Sequence, residues 1–300
     1  MASVTVAFNP DAARLAAQLT ALHAQVSRLI VVDNGSSRPV SEDLEPLLPQ
    51  AVLARTQWLS LEENQGLARG FNMGVREARA WGARYALLMD HDSIPSSGMV
   101  AELLAAHAEP RGGEPVAATG PRVHDARDHR EFPFIRLAWP RNRHLHCDGT
   151  LRTIACDFLI SSGCLLSIEA FEAVGEFDET LFIDNVDLEW CFRARSRGYA
   201  LYGACGAHLD HRLGDHRLAL TSGYEIVVHS PERLYYMTRN RLMLYWRGYM
   251  PLSWKVKDAV RGLAKCAATV ALVRPRAEYA RMTLRAFRDA AARRGGKLPA

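Results

Sequence analysis

Two carboxylates separated by one residue close an apolar run at Leu87-Leu88-Met89-Asp90-His91-Asp92-Ser93. Hard divalent cations prefer oxygen ligands, and Mg²⁺ commonly takes one or two carboxylates together with substrate phosphates. Asp-x-Asp at a strand end is therefore a candidate cation and phosphate site, with a pair of solvated turn acids as the plain alternative. A second acidic group, Asp184, Asp187 and Glu189, lies in Phe182-Ile183-Asp184-Asn185-Val186-Asp187-Leu188-Glu189-Trp190. Acids in a first helical turn meet the helix dipole and cap free N–H groups, which accounts for one or two of the three. Three of them beside Phe182, Ile183, Val186 and Trp190 exceed what capping needs, and burial there raises a carboxylate's pKa. His208, His211 and His216 follow in a polar stretch. Their spacing invites a zinc reading, but no cysteines are spaced to complete a structural site, and a zinc hydrolase needs a further ligand and a base.

These groups require elements to position them. Val4–Phe8 reads as a strand ending at Asn9-Pro10, and apolar residues from Asp11 to Val26 fall at helical spacing. Leu29–Val32 is a second strand, stopped by Asp33-Asn34-Gly35-Ser36-Ser37. Val52–Leu59 is a third, Asn64-Gln65-Gly66 opens a helix over Leu67–Trp81, and Tyr85–Met89 is a fourth strand. Strands alternating with helices imply a parallel sheet with right-handed crossovers. In such sheets ligands sit beyond the carboxyl ends of the strands, which places Asn9, Asp33, Asp90 and Asp92 along one rim. Residues 109–157 read as a long irregular segment, which in a compact domain is more often functional than idle. An apolar pattern resumes over Phe158–Ile168, interrupted by Ser161-Ser162-Gly163. Helices over Glu169–Val174 and Asp187–Arg197, a short strand over Tyr199–Tyr202 and a helical pattern from Pro231 onward complete the chain.

The 300 residues carry 48 % hydrophobic and 23 % charged residues, a globular composition that excludes disordered, collagenous and disulfide-scaffold classes. The net charge of +4 divides unevenly. Residues 251–300 hold twelve Lys and Arg against Asp258, Glu278 and Asp289, or +9, which leaves −5 for residues 1–250. Six cysteines show no C-x-x-C pair and lie mostly in apolar runs, so they are expected to be reduced, as in a cytoplasmic protein. No signal peptide is legible.

The ordered set Asp33-Asn34-Gly35-Ser36-Ser37, Asn64-Gln65-Gly66 with Asn72-Met73-Gly74, and Asp90-His91-Asp92 resembles the inverting, nucleotide-sugar-dependent glycosyltransferases of family 2. The resemblance runs over roughly residues 3–245. It is closest to the bacterial rhamnosyltransferase branch, through Val32-Asp33-Asn34-Gly35-Ser36 and the stretch from Phe182 to Trp190. It implies a type A fold, a Rossmann-like, mostly parallel sheet flanked by helices, with a catalytic domain at 1–245 and a basic C-terminal helical extension at 246–300. It also implies roles. Asp187 matches the base, with Asp184, Glu189 and Trp190 on the acceptor side. Asn9, Asp33, Asn34, Asn64, Gly66, Arg69, Asp90 and Arg239 fall on the nucleotide-sugar side. Asp90, Asp92 and His211 would hold Mg²⁺ or Mn²⁺. Asp33 is similar to the acid that accepts a hydrogen bond from a uracil or thymine imide. Arg239, in Tyr235-Tyr236-Met237-Thr238-Arg239-Asn240, is either a phosphate partner or a structural arginine. His91, between the two acids, departs from any role the resemblance carries.

The implied donor is dTDP-L-rhamnose, with another UDP- or dTDP-sugar as the alternative, and the implied acceptor is a saccharide, as in a lipid-linked surface polysaccharide. The resemblance fades past about residue 250. There, Leu252, Val256, Val260, Leu263, Ala267, Val270 and Ala271 form a helical stripe with Lys and Arg on other faces. A basic amphipathic helix of this kind lies on an anionic membrane or packs on the core with a solvated basic face. A nucleic-acid-binding protein is disfavoured by the lack of an RNP-like aromatic pattern or a Cys/His finger. A nucleotidyltransferase is disfavoured by the lack of a Gly-rich, basic phosphate loop after the first strand.

Overall fold

The computed structural model describes residues 1–109, 113–125, 127–128, 130–211, 216–221 and 224–299, the segments between 216 and 228 by backbone alone. Strand β1 (Ala2–Ala7) leads through α1 (Ala12–His23) to β2 (Arg28–Asp33). Short helices α2 (Val40–Leu44) and α3 (Gln50–Leu53) precede β3 (Thr56–Ser60), and α4 (Leu67–Ala80) precedes β4 (Tyr85–Asp90). Next come β5 (Ile94–Pro95), α5 (Met99–Ala108), β6 (Val116–Asp125), β7 (Glu131–Phe132), β8 (Phe134–Arg136), β9 (Arg143–Leu145), β10 (Thr153–Cys156) and β11 (Cys164–Ser167). Helices α6 (Ile168–Val174) and α7 (Val186–Ser196), the long β12 (Ala200–His211) and the hairpin β13 (His216–Thr221) with β14 (Tyr224–Val228) follow. The chain ends in α8 (Pro231–Tyr245), α9 (Leu252–Leu272) and α10 (Arg276–Ala291).

The central sheet runs in the order β10-β12-β6-β11-β4-β1-β2-β3, with β5 and β7 appended to β12 and β6. The block β4-β1-β2-β3 is parallel, β11 runs antiparallel between β4 and β6, and β12 lies parallel to β6. It is thus the mostly parallel sheet flanked by helices that the sequence implied. Alternate residues of each strand feed two cores: Ile30, Val32, Ala86 and Leu88 face one side, Leu29, Val31, Leu87 and Met89 the other. Burial on both faces explains why these strands read as unbroken apolar runs. Helix α4 lies close on the sheet because Gly74 has no side chain; a Cβ there would meet Val4 Cγ1 at 2.2 Å.

The irregular segment expected over 109–157 is instead five strands. Its longest, β6, is spelled Val116-Ala117-Ala118-Thr119-Gly120-Pro121-Arg122-Val123-His124-Asp125, a composition that hides a central strand. The strand expected over Tyr199–Tyr202 extends to His211 and carries a register irregularity between Ala204 and His208 against β6. A second correction concerns the cysteines. Cys147 and Cys205 form a disulfide, because antiparallel pairing of β10 with β12 sets the two segments side by side. Their separation of 58 residues gave no hint of it. Cys156, Cys164, Cys191 and Cys266 are free and buried.

Candidate active site

A cavity of about 700 Å³ opens at the carboxyl ends of β1, β2 and β4. On one wall, β4 ends in Asp90, and the turn to Asp92 faces His211 at the end of β12. Asp90 Oδ2 lies 3.8 Å from His211 Nε2, and Asp92 Oδ1 lies 3.3 Å from Nδ1. Three ligand atoms, one from each residue, fall within 4.8 Å of one another. Burial would lower the His211 pKa, but the hydrogen bond and charge of Asp92, with the charge of Asp90, hold it above the ordinary imidazole value. Burial pushes Asp90 up, only partly offset by the charge of His211. For Asp92 the burial penalty is outweighed by His211, and its pKa falls. Two carboxylates and an imidazole, one carboxylate destabilised by burial, are a donor set that fits a hard divalent cation. A buried hydroxyl relay fixes the imidazole: Ser93 Oγ lies 2.7 Å from His211 Nδ1 and 2.6 Å from Ser162 Oγ.

The opposite wall is the segment Phe182 to Asp187. Phe182, Asp184 and Asn185 adopt φ of 64°, 61° and 62°, left-handed values that cost each non-glycine residue roughly 1–3 kcal/mol. Two side chains hold this conformation. Asn240 Nδ2 donates to the carbonyls of Leu181, Ile183 and Asp184 at 2.7–2.9 Å. Arg239, 1 % exposed, donates to the carbonyls of Thr180, Leu181 and Gly296 and sits over the rings of Tyr235 and Tyr236. Gly66 completes the contact from the sheet side. It has φ 91°, and a Cβ would lie 2.5 Å from the Phe182 carbonyl oxygen, where Leu67 N–H donates at 2.6 Å.

Asp187, in the first turn of α7, accepts from Ser161 N–H at 3.1 Å and from Leu188 N–H at 2.8 Å. Burial raises its pKa to about 6 despite these bonds, with smaller contributions from the charges of Asp90 and Asp184. A carboxyl poised there is ionised at neutral pH yet basic enough to take a proton. Thus Ser161 and Ser162, which interrupt the apolar run, serve one wall each.

Eight of the residues singled out in the sequence line this cavity: Asn34, Asn64, Gly66, Asp90, Asp92, Asp184, Asp187 and His211. Asn34 and Asn64 also knit the rim, Asn34 donating to Asn64 Oδ1 and accepting from Gln65 N–H. Six others do not line it. Asp33 spends its two oxygens on the N–H groups of Ser36 and Val40, the turn-forming alternative. Asn9 accepts from Ser37, and Arg69 pairs with Glu179. Glu189 and Trp190 point from the other side of α7 into the core, where Glu189 is bound by Arg193 and Tyr249 and the Trp190 indole donates to the Gly175 carbonyl. Arg239 acts as the structural arginine described above. His208 pairs with His124 at 3.1 Å, and the side chain of His216 lies outside the described residues. Sequence reasoning missed Arg233, Phe8 and Ile160, and left His91 without a role; all four line the cavity. Arg233 bridges both oxygens of Asp184 at 3.3 Å, and its only signal was its place two residues before Tyr235-Tyr236.

The family model of Glycosyl transferase family 2 matches residues 3–175. The chain is 28 % identical over 288 residues to the dTDP-rhamnosyl transferase RfbF of Shigella flexneri, covering 96 % of this chain and 94 % of that protein. Among solved structures, GalNAc-T7 with UDP, GalNAc and Mn²⁺ aligns at TM-score 0.62 and 14 % identity, over 97 % of this chain; the match spans only 54 % of GalNAc-T7. The mannosyltransferase PcManGT of Pyrobaculum calidifontis with GDP-Man and Mn²⁺ aligns at TM-score 0.58 and 15 % identity, covering 98 % and 86 % of the two chains. S. aureus TarS 1–349 with UDP-GlcNAc aligns at 0.57 and 14 %, covering 96 % and 80 %. These likenesses establish the type A fold. Among the described residues no helix is long and apolar enough to cross a membrane.

Proposed function

Because the chain belongs to glycosyl transferase family 2, we propose that it transfers L-rhamnose from dTDP-L-rhamnose, with inversion, to a saccharide acceptor carried on lipid. One observation carries this reading: a carboxyl with a pKa near 6, Asp187, opens onto the same cavity as the group Asp90, Asp92 and His211. A cavity of that size falls in the range of small-ligand sites, about 300–1,000 Å³. The RfbF relative supports the choice of donor.

In the proposed single displacement Asp187 takes the proton of the attacking acceptor hydroxyl. Ser161 N–H and Leu188 N–H aim its carboxylate, and burial keeps its basicity high. Asp90, Asp92 and His211 would hold Mg²⁺ or Mn²⁺, which when bound supplies positive charge beside the leaving diphosphate. Ser93 and Ser162 orient the imidazole, and Asp184 with Arg233 forms the charged edge of the cavity toward α8. Asn34, Asn64 and Gly66 shape the donor wall. Recognition of a thymine imide by Asp33 would compete with the two backbone N–H groups it already accepts. In this reading the enzyme works on the cytoplasmic side and meets its acceptor at the inner face of the membrane.

A panel of nucleotide sugars, assayed by donor hydrolysis and thermal shift with and without Mg²⁺ or Mn²⁺, tests the donor. Selective response to dTDP-L-rhamnose is expected. Response to another donor alone would reassign the sugar, and indifference to all would sink the reading. A product with retained anomeric configuration contradicts a single displacement.

A further inference from the structure

Helix α9 has two contrasting faces. Trp254, Cys266 and Thr269 are buried on the inner one, Trp254 against Phe192 and Tyr245 and Cys266 beside Leu234 and Tyr279. On the outer face Leu252, Val256, Val260 and Leu263 are 75 %, 44 %, 67 % and 57 % exposed. With exposed Ala264, Ala267 and Ala271 they fill an arc of roughly 120° in a helix of 3.6 residues per turn. Scattered exposed apolar residues are ordinary, but a continuous stripe along the length of one helix marks an interaction surface.

The charge around the stripe selects the partner. Residues 251–300 carry +9. Of their three acids, Asp258 is engaged by Tyr245 and Arg241, and Asp289 is buried with Tyr235 and arginines 285, 288 and 294. Two of the three acids are thus turned inward, and Glu278 stays half-exposed at the start of α10. Lys257 and Arg261, one turn apart, border the apolar arc and feel each other's charge. Arg261, Arg274 and Arg276 are exposed. Lys257 donates to the Ala138 carbonyl at 2.6 Å, so Trp139, 70 % exposed, flanks the same edge. Tryptophan beside a cationic, apolar strip suits a lipid–water interface.

We propose that the outer face of α9 docks on an anionic phospholipid surface, with Val256, Val260 and Leu263 entering the headgroup boundary and Arg261 meeting lipid phosphate. The purpose of the contact rests on the reading of a lipid-carried acceptor; the contact itself does not. On the inner side of the same helix Lys265 lies within electrostatic reach of Asp184 and Arg233.

The full chain is floated with vesicles of phosphatidylcholine alone or mixed with phosphatidylglycerol. Binding is expected only with the anionic lipid. Arg261→Glu lowers the partition coefficient at least about fivefold. Val260→Asp with Leu263→Asp abolishes flotation while thermal unfolding and transfer to a soluble saccharide stay unchanged. Flotation that is absent, indifferent to phosphatidylglycerol or undiminished in the variants overturns the proposal. So does a concentration-dependent dimer in light scattering that the double variant abolishes, because the stripe then covers a second copy. Loss of transfer with every donor while flotation persists would refute the reaction and leave the docking surface standing.

Discussion

Replacing Asp187 by asparagine separates two consequences of one buried carboxyl. In the folded chain its pKa is about 6, against 3.8 for the free group. An acid whose pKa rises on folding binds more protons folded than unfolded between those values, so stability falls as pH increases through that window. At about 1.4 kcal/mol per pKa unit, the ionised carboxylate costs about 3 kcal/mol above pH 6, a cost absent below pH 4. The carboxamide of the variant never ionises. It does leave one of the N–H groups of Ser161 and Leu188 without an acceptor, at about 1–3 kcal/mol, but that penalty is independent of pH. The quantity to measure is therefore the difference between wild type and variant across pH. Urea unfolding in EDTA, between pH 4 and 8, is expected to show wild-type stability dropping by about 3 kcal/mol relative to Asp187→Asn. The same variant is expected to bind donor and to transfer about 10²–10⁴-fold more slowly. Parallel pH profiles for the two proteins would refute the claim that burial holds this carboxyl near 6. Near-normal turnover would move the base elsewhere.

Three further outcomes follow from the geometry. Asp92→Ala is expected to abolish the thermal shift on adding Mn²⁺ and to lower transfer at least about tenfold, as loss of a ligand from a two-carboxylate site requires; an unchanged shift would place the cation elsewhere. Gly66→Ala must relieve a 2.5 Å contact with the Phe182 carbonyl while adopting φ 91°, so a loss of roughly 1–3 kcal/mol in urea unfolding is expected, with donor affinity reduced. Asn240→Ala removes the donor that pins Leu181, Ile183 and Asp184 on the wall leading into Asp187, and is expected to destabilise by about 1–3 kcal/mol and to lower kcat more than it raises the donor KM; an effect on stability alone would make Asn240 purely structural.

The sequence made the parallel half of the molecule legible because its strands are buried on both faces and its helices are amphipathic. Strand ends then placed Asp90 and Asp92, and the acidic stretch placed Asp187. What stayed hidden was non-local. Strand β6 contains Gly120, Pro121 and Arg122, and only its pairing with β11 and β12 makes it a central strand. The face of α7 separates Asp187 from Glu189 and Trp190, a distinction that a run of acids cannot express before the helix is docked. Arg239 was a phosphate candidate by type, yet five donors in a buried cage of carbonyls satisfy a guanidinium equally well. The Cys147–Cys205 pairing depends on strand adjacency, not on spacing.

The reversed strand β11 has a kinetic meaning. Strands β1 to β4 are joined by crossovers within the first 90 residues, so the rim bearing Asn34, Asn64, Asp90 and Asp92 is complete in chain order before β11 begins. The partners that finish the site come from far along the chain: Ser93 meets Ser162 across 69 residues and His211 across 118. Contacts of such separation close against a larger loop entropy and raise the contact order, which slows folding. Asp187 is held by Ser161, just before β11, and His211 ends β12, so a partial opening at these two strands would displace both together. A chain opened there would keep Asp90 and Asp92 at the rim while losing the groups that face them, His211 and, on the proposed reading, the base Asp187.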